Sequence, residues 1–118
     1  MDLQGKTVLI TGGNSGIGLA TAHLMIARGA RVAITGRDRA KLDEAATELG
    51  GDVLALQADL NDPAALERVA RAVGEAYGHL DILFANAGIS GPTPLGATTP
   101  EAFKSIVDTN LTAVFFTV

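Results

Sequence analysis

Thr7-Val8-Leu9-Ile10-Thr11-Gly12-Gly13-Asn14-Ser15-Gly16-Ile17-Gly18 decides the fold of this 118-residue chain. An apolar β-branched run is followed by a glycine-rich turn, and the turn runs into a helical pattern. The glycines let the backbone turn tightly and approach a ligand with no Cβ in the way. The first N–H groups of the helix have no partners within it, and the helix dipole adds a positive end. Strand, turn and helix start together predict a diphosphate site. A glycine triplet alone would be an ordinary turn.

Outward from that stretch, apolar runs and helical stretches alternate four times. The runs are Val8–Ile10, Val32–Ile34, Val53–Leu56 and Ile82–Ala85. They are continuous rather than alternating, as in parallel strands covered on both faces. The first helix is predicted from about Gly16 to Arg28, with Gly29 as its stop. The second places Leu42, Ala45, Ala46 and Leu49 on one face, with Asp38 as cap and Gly50-Gly51 as terminator. The third places Leu66, Val69, Ala70 and Val73 on one face. Asp62 caps it, Pro63 opens it and Gly78 closes it. The fourth starts at Thr99-Pro100, with Phe103, Ile106, Val107, Leu111 and Val114 in one stripe. This β-α-β-α-β-α-β-α order predicts right-handed crossovers and a parallel α/β sheet of the Rossmann, doubly wound type. Residues 1–118 read as one dinucleotide-binding domain. The loop from Ala87 to Thr98 leaves the carboxyl end of a central strand, where such sheets bind ligands.

Composition narrows the partners. Apolar residues make up 47%, and 118 residues suffice for one domain with a core. Nine basic and 13 acidic residues give a net charge of −4 without a basic cluster, so nucleic acid is not an expected partner. No apolar run has membrane-spanning length, and the start lacks a signal layout; a soluble, cytoplasmic protein is expected. The absence of Cys removes disulfides and thiolate chemistry. His23 and His79 lack further ligands at metal spacing, so no metal site is expected.

Four features carry chemistry. Arg37 comes 19 residues after Gly18, just past the second strand, where dinucleotide folds read the adenosine ribose. An acid there favours NAD and an Arg favours NADP. The acid here stands one place later, at Asp38, so NADP is favoured over NAD. Asp59, in Ala58-Asp59-Leu60, can accept from an adenine amino group or can simply be a turn Asp. Asn86-Ala87-Gly88 ends the fourth strand; its small residues admit a cofactor, and the Asn amide can bridge strand ends. Asn110 lies on the apolar stripe of the fourth helix. A buried amide without partners costs about 1–3 kcal/mol, so it bonds to backbone, to a buried water, or to a water in a proton path. Ser15 has no paired base and reads as a phosphate contact.

Thr11-Gly12-x-x-x-Gly16-x-Gly18, Asp59, Asn86-Ala87-Gly88 and Asn110 together resemble the short-chain dehydrogenase/reductase family in its ordinary, non-extended form. The phrase Leu80-Asp81-Ile82-Leu83-Phe84-Ala85-Asn86-Ala87-Gly88-Ile89 resembles it too. The resemblance covers the whole chain. It implies that Gly12, Gly16 and Gly18, with Ile17 between them, border the cofactor diphosphate. It implies that Arg37 meets the 2′-phosphate, helped by Asn14 or Ser15. Asp59 and its neighbour Leu60 lie at adenine, Asn86 braces the sheet under the cofactor, and Asn110 anchors the proton-relay water.

The family's catalytic Ser and Tyr-x-x-x-Lys pair lie beyond a fifth strand, past Val118. The single Tyr of this chain is Tyr77, and four residues on stands Asp81. The resemblance therefore implies the amino-terminal half of a carbonyl reductase or alcohol dehydrogenase acting on a small carbonyl or alcohol. The alternative is a non-catalytic dinucleotide-binding or interaction module. The family's strand order is 3-2-1-4-5-6-7, so an end after strand four would bare the Ile82–Ala85 edge and leave Val114, Phe115 and Phe116 uncovered. Association into a homo-oligomer, or aggregation, is the expectation.

Overall fold

The strand Thr7–Thr11 (β1) is buried along its whole length, and this sets the architecture. A strand alternates its side chains, so a continuous apolar run needs cover on both faces. The computed structural model describes residues 2–86. After β1 come α1 (Gly16–Ala27), β2 (Arg31–Gly36), α2 (Arg39–Leu49), β3 (Leu54–Gln57), α3 (Pro63–Tyr77) and β4 (Ile82–Ala85). The sheet is parallel in the order β3-β2-β1-β4.

Even-numbered residues of the central strands point one way. Val8, Ile10, Val32 and Ile34 pack with Ala22 of α1 and with Leu42, Ala45 and Leu49 of α2. Odd-numbered Leu9 and Ala33 point the other way, onto Ala65, Val69 and Val73 of α3. Each fully buried Ile, Leu or Val contributes roughly 1.5–3 kcal/mol. The chain order explains the two layers. From β1 to β2 to β3 it steps in one direction, and right-handed crossovers put α1 and α2 on one face. From β3 to β4 it steps back across the sheet, so α3 covers the other. The direction reverses between β1 and β4, which opens a crevice at their carboxyl ends.

Two sequence expectations are adjusted. The buried face of α3 is centred on Ala65, Val69 and Val73, with Leu66 half-buried and Ala70 exposed. At about 100° per residue, Ala70 sits one step round from the stripe's centre. β3 and β4, which stand at the two ends of the order among the described residues, are only half-buried. The fourth helix, with Asn110, lies outside the described residues, as do Ala87 and Gly88.

The amino ends of β1 and β4 are clamped together. The Thr7 N–H donates to Asp81 Oδ2 at 2.9 Å, and the Thr7 hydroxyl donates to the His79 carbonyl at 2.8 Å. The Asp81 N–H returns to the Thr7 carbonyl at 3.0 Å, and His79 Nε2 lies 3.1 Å from Asp81 Oδ2. The Thr7 N–H holds the Asp81 carboxyl below the usual carboxylate range; partial burial opposes this, while His79, the Thr7 hydroxyl and Lys6 add to it.

Candidate functional site

At the opposite end of the sheet the chain is held mainly by bonds between backbone and short polar side chains. The Gly13 N–H donates to the Thr35 carbonyl at 3.1 Å, and the Gly12 N–H donates to the Thr35 hydroxyl at 3.2 Å. These bonds tie the glycine turn to the end of β2. Asn86 ties it to β4: its N–H donates to Thr11 Oγ1 at 3.0 Å and its amide Nδ2 to the Gly12 carbonyl at 3.3 Å. The bridging amide anticipated for Asn86 is thus present, and it spans β4 and the turn after β1.

The glycines have distinct reasons. Gly12 and Gly16 take left-handed φ of 69° and 55°. A Cβ on Gly18 would collide with the Gly12 carbonyl and sit 2.6 Å from the Asn86 amide nitrogen, so the bare Cα lets α1 press against the turn. A Cβ on Gly16 would meet nothing within 4 Å, so the chain leaves open space beside the helix start.

That start differs from those of α2 and α3. Ser15 occupies the N-cap position of α1 with extended backbone, yet its side chain makes no capping bond, and the first turn holds no acid. The first-turn N–H groups of α1 are left without a built-in anion. By contrast, Asp38 Oδ1 accepts from Ala40 N at 2.9 Å and Lys41 N at 3.3 Å, and Asp62 Oδ1 accepts from Ala64 N at 3.0 Å.

Above these strand ends lies a cleft of about 580 Å³, a size that suits a small-molecule ligand. Of the residues singled out from sequence, Gly12, Asn14, Ser15, Arg37, Asp59, Leu60 and Asn86 line it. Gly16, Ile17 and Gly18 form the adjoining first turn of α1 and are not part of the lining; Ile17 is 72% exposed. Asp59 realises its turn reading: Oδ1 accepts from Asn61 N at 3.0 Å while the residue faces the cleft.

Sequence reasoning missed Thr35, Gly36 and Lys41, which also line the cleft. Lys41 stands in the first turn of α2, beyond the residues where the adenosine end is usually sought. Thr35 carried no signal beyond its place at the end of a buried strand. The cleft therefore carries two cations, Arg37 and Lys41, and two carboxylates, Asp38 and Asp59, each with its Oδ1 turned onto backbone N–H groups.

Tyr77 is not part of this site. It lies at the far end of α3, with the Arg31 guanidinium 4.6 Å from its ring centroid. Its buried hydroxyl has no hydrogen-bond partner among the described residues, and burial pushes its ionisation up, with Arg31 opposing. His23 pairs on the surface with Glu48 at 2.9 Å. Among the described residues no three His, Cys, Asp or Glu side chains gather as a metal site, and no helix is long and apolar enough to cross a membrane.

Known proteins resemble the chain along nearly all its length. The family model for short chain dehydrogenases matches residues 6–118. Oxidoreductase asL5 of Sarocladium schorii is 45% identical over 116 residues, 98% of this chain and 47% of that protein. The crystal structure of 3-ketoacyl-(acyl-carrier-protein) reductase from Brucella melitensis complexed with NADH superposes with a TM-score of 0.92 at 37% identity, covering 98% of this chain and 48% of that one. The RhlG/NADP active-site complex of Pseudomonas aeruginosa superposes with a TM-score of 0.91 at 38% identity, over 98% and 46%. The chain thus spans about half the length of the relatives it matches.

Proposed function

This chain belongs to the short-chain dehydrogenase family, and we propose that it forms the dinucleotide-binding part of an NADP-dependent oxidoreductase that interconverts small carbonyls and alcohols. The observation that carries this reading is the uncapped start of α1 beside a cleft with Arg37 and Lys41 on its wall. An elongated ligand with a diphosphate and a second phosphate at its adenosine end fits that layout. The diphosphate lies at Gly12, Ser15, Gly16, Ile17 and Gly18, where N–H groups and the helix dipole face it. Asn14 and Arg37 take the 2′-phosphate, Asp59 and Leu60 lie at adenine, and Asn86 braces the sheet under the rest; Ala87 and Gly88 are assigned to the cofactor in keeping with the family pattern.

NADP is preferred over NAD because cations stand at the adenosine end and the acid there has one oxygen occupied by the start of α2. Asp38 Oδ1 caps α2 through two N–H bonds, and the guanidinium of Arg37 is suited to a bidentate phosphate contact. The named neighbours support both cofactors, one being bound to NADH and one to NADP, so the preference rests on Arg37 and Lys41. When bound, the nicotinamide supplies or accepts the hydride. Asn110 is assigned to the proton-relay water, in keeping with the family pattern.

Titrating NADP and NAD against Arg37→Asp tests the reading. NADP binding falls far more than NAD binding if Arg37 meets the 2′-phosphate, and equal losses remove it from that role.

A second reading is a non-catalytic dinucleotide-binding module, and the placement of Tyr77 favours it for residues 1–118 taken alone. The chain's single tyrosine is at the opposite end of the sheet from the cleft, with its hydroxyl buried. These 118 residues by themselves are expected not to consume NADPH with aldehydes or ketones, since general acid help is worth about 10²–10⁴ in rate. Turnover above background by a homogeneous 118-residue preparation contradicts that assignment.

A further inference from the structure

Asn14 lies over Gly36, and the fit leaves no room for a side chain at residue 36. A Cβ there would stand 2.8 Å from Asn14 Nδ2, 2.9 Å from its Cγ and 3.4 Å from its Cβ. Gly36 cannot yield. It is buried at the end of β2, pairs in register with Gln57, and its carbonyl accepts from Ala58 N at 3.0 Å. Its φ is not in the left-handed region, so backbone conformation alone does not demand glycine. The turn that carries Asn14 cannot withdraw either. Gly13 is bonded to the Thr35 carbonyl at 3.1 Å, and its own Cβ position would be 2.7 Å from Ile34 Cβ. The one part free to move is the Asn14 side chain. Its amide makes no hydrogen bond among the described residues, and both Asn14 and Gly36 line the cleft beside Arg37.

We infer that Gly36 is a positioning residue that seats the Asn14 amide on the end of β2, and that this Asn14–Gly36 interlock sets affinity for the adenosine end of the dinucleotide. This rests on the dinucleotide reading above. With residue 36 bare, the amide rests against the end of β2 at the cleft, with no hydrogen bond to the described residues. Any side chain at 36 turns the amide out into the cleft. There it takes the volume the ribose and its phosphate need, and it loses its own aim.

The test is a double-mutant cycle read by calorimetric titration of NADP, NAD and adenosine 2′,5′-bisphosphate. The bisphosphate probes the adenosine end without the nicotinamide. Gly36→Ala is expected to weaken all three by about tenfold, the scale of a lost hydrogen bond plus a steric intrusion. In the Asn14→Ala background the same Gly36→Ala change is expected to cost less than about twofold, because the side chain it displaces is gone. Asn14→Gln, which leaves residue 36 untouched and overfills the seat by one methylene, is expected to weaken the bisphosphate as Gly36→Ala does. It also keeps the test decisive if Gly36→Ala fails to fold. Equal losses from Gly36→Ala in both backgrounds, or full affinity in Gly36→Ala and Asn14→Gln, overturn the interlock. Arg37→Asp measured alongside separates the two claims. A selective loss of NADP there with no Asn14–Gly36 coupling sinks the interlock alone, whereas no binding of any probe to the unsubstituted protein sinks the function and the interlock together.

Discussion

The starts of α1 and α3 are built from similar parts and end in different states. Both follow a strand at the same end of the sheet, and both have a short polar residue at the cap position in extended backbone. At α3 the Asp62 carboxylate reaches the Ala64 N–H, and α2 does the same with Asp38. At α1 the Ser15 hydroxyl makes no capping bond, and like α2 and α3 it has no acid in its first turn to take over that part. A helix start wants an anion. Where the chain supplies its own, the end is closed to others. Where it does not, the open end adjoins a cleft that Ser15 lines, and the proposed diphosphate site rests on that difference.

The largest effect is expected from making α1 like α3. Ser15→Asp supplies the missing carboxylate. It is expected to hold or raise the melting temperature while weakening both NADP and NAD by at least about 100-fold, since like charges brought together cost several kcal/mol. Calorimetric titration with a thermal melt checks both halves, and undiminished affinity breaks the comparison. Next comes Arg37→Asp, expected to cost NADP about 100-fold relative to NAD, the scale of a lost charge-assisted contact plus an added repulsion. The ratio of the two dissociation constants measures it.

The converse changes sharpen the contrast. Asp62→Ala removes a working cap and is expected to destabilise by about 1 kcal/mol with dinucleotide affinity unchanged. Ser15→Ala removes a hydroxyl that caps nothing and is expected to shift stability by no more than a few tenths of a kcal/mol. Urea unfolding of the pair decides this, and equal losses erase the distinction between the two helix starts.

The smallest effect lies at the clamped amino end. The Asp81 carboxyl is held below its ordinary range, chiefly by the Thr7 N–H. A depressed folded value means its stabilisation is complete above about pH 4, where the unfolded carboxyl is ionised, and is lost as pH falls through the folded value. Asp81→Asn is therefore expected to melt below the parent at pH 7, with the gap closing in more acidic solution. A gap that does not depend on pH contradicts the clamp.

Much of this was legible in the residues. The central strands, the crossover order and the caps at Asp38 and Asp62 follow from runs, periods and residue types that act locally. The glycine turn was legible because backbone conformation and close approach both demand glycine there. The idle hydroxyl of Ser15 was not, since Ser is as good an N-cap by type as Asp, and only the observed geometry distinguishes them. Asp59 read equally well as a turn residue or a ligand contact, and it both closes a turn and faces the cleft. Lys41, Thr35 and the packing of Asn14 on Gly36 were missed because each depends on segments meeting across the sheet. Ala70 was misplaced because a stripe's centre shifts by one residue according to the neighbour it packs on.

The most direct test follows the amides themselves. In ¹⁵N NMR of the protein titrated with NADP, the N–H signals of Gly16, Ile17 and Gly18 are predicted to shift saturably together with those of Arg37. The first-turn amides of α3, at Ala64, Ala65 and Leu66, are predicted to stay still. Saturating NADP binding that leaves the α1 amides in place, or moves those of α3 equally, would contradict the account.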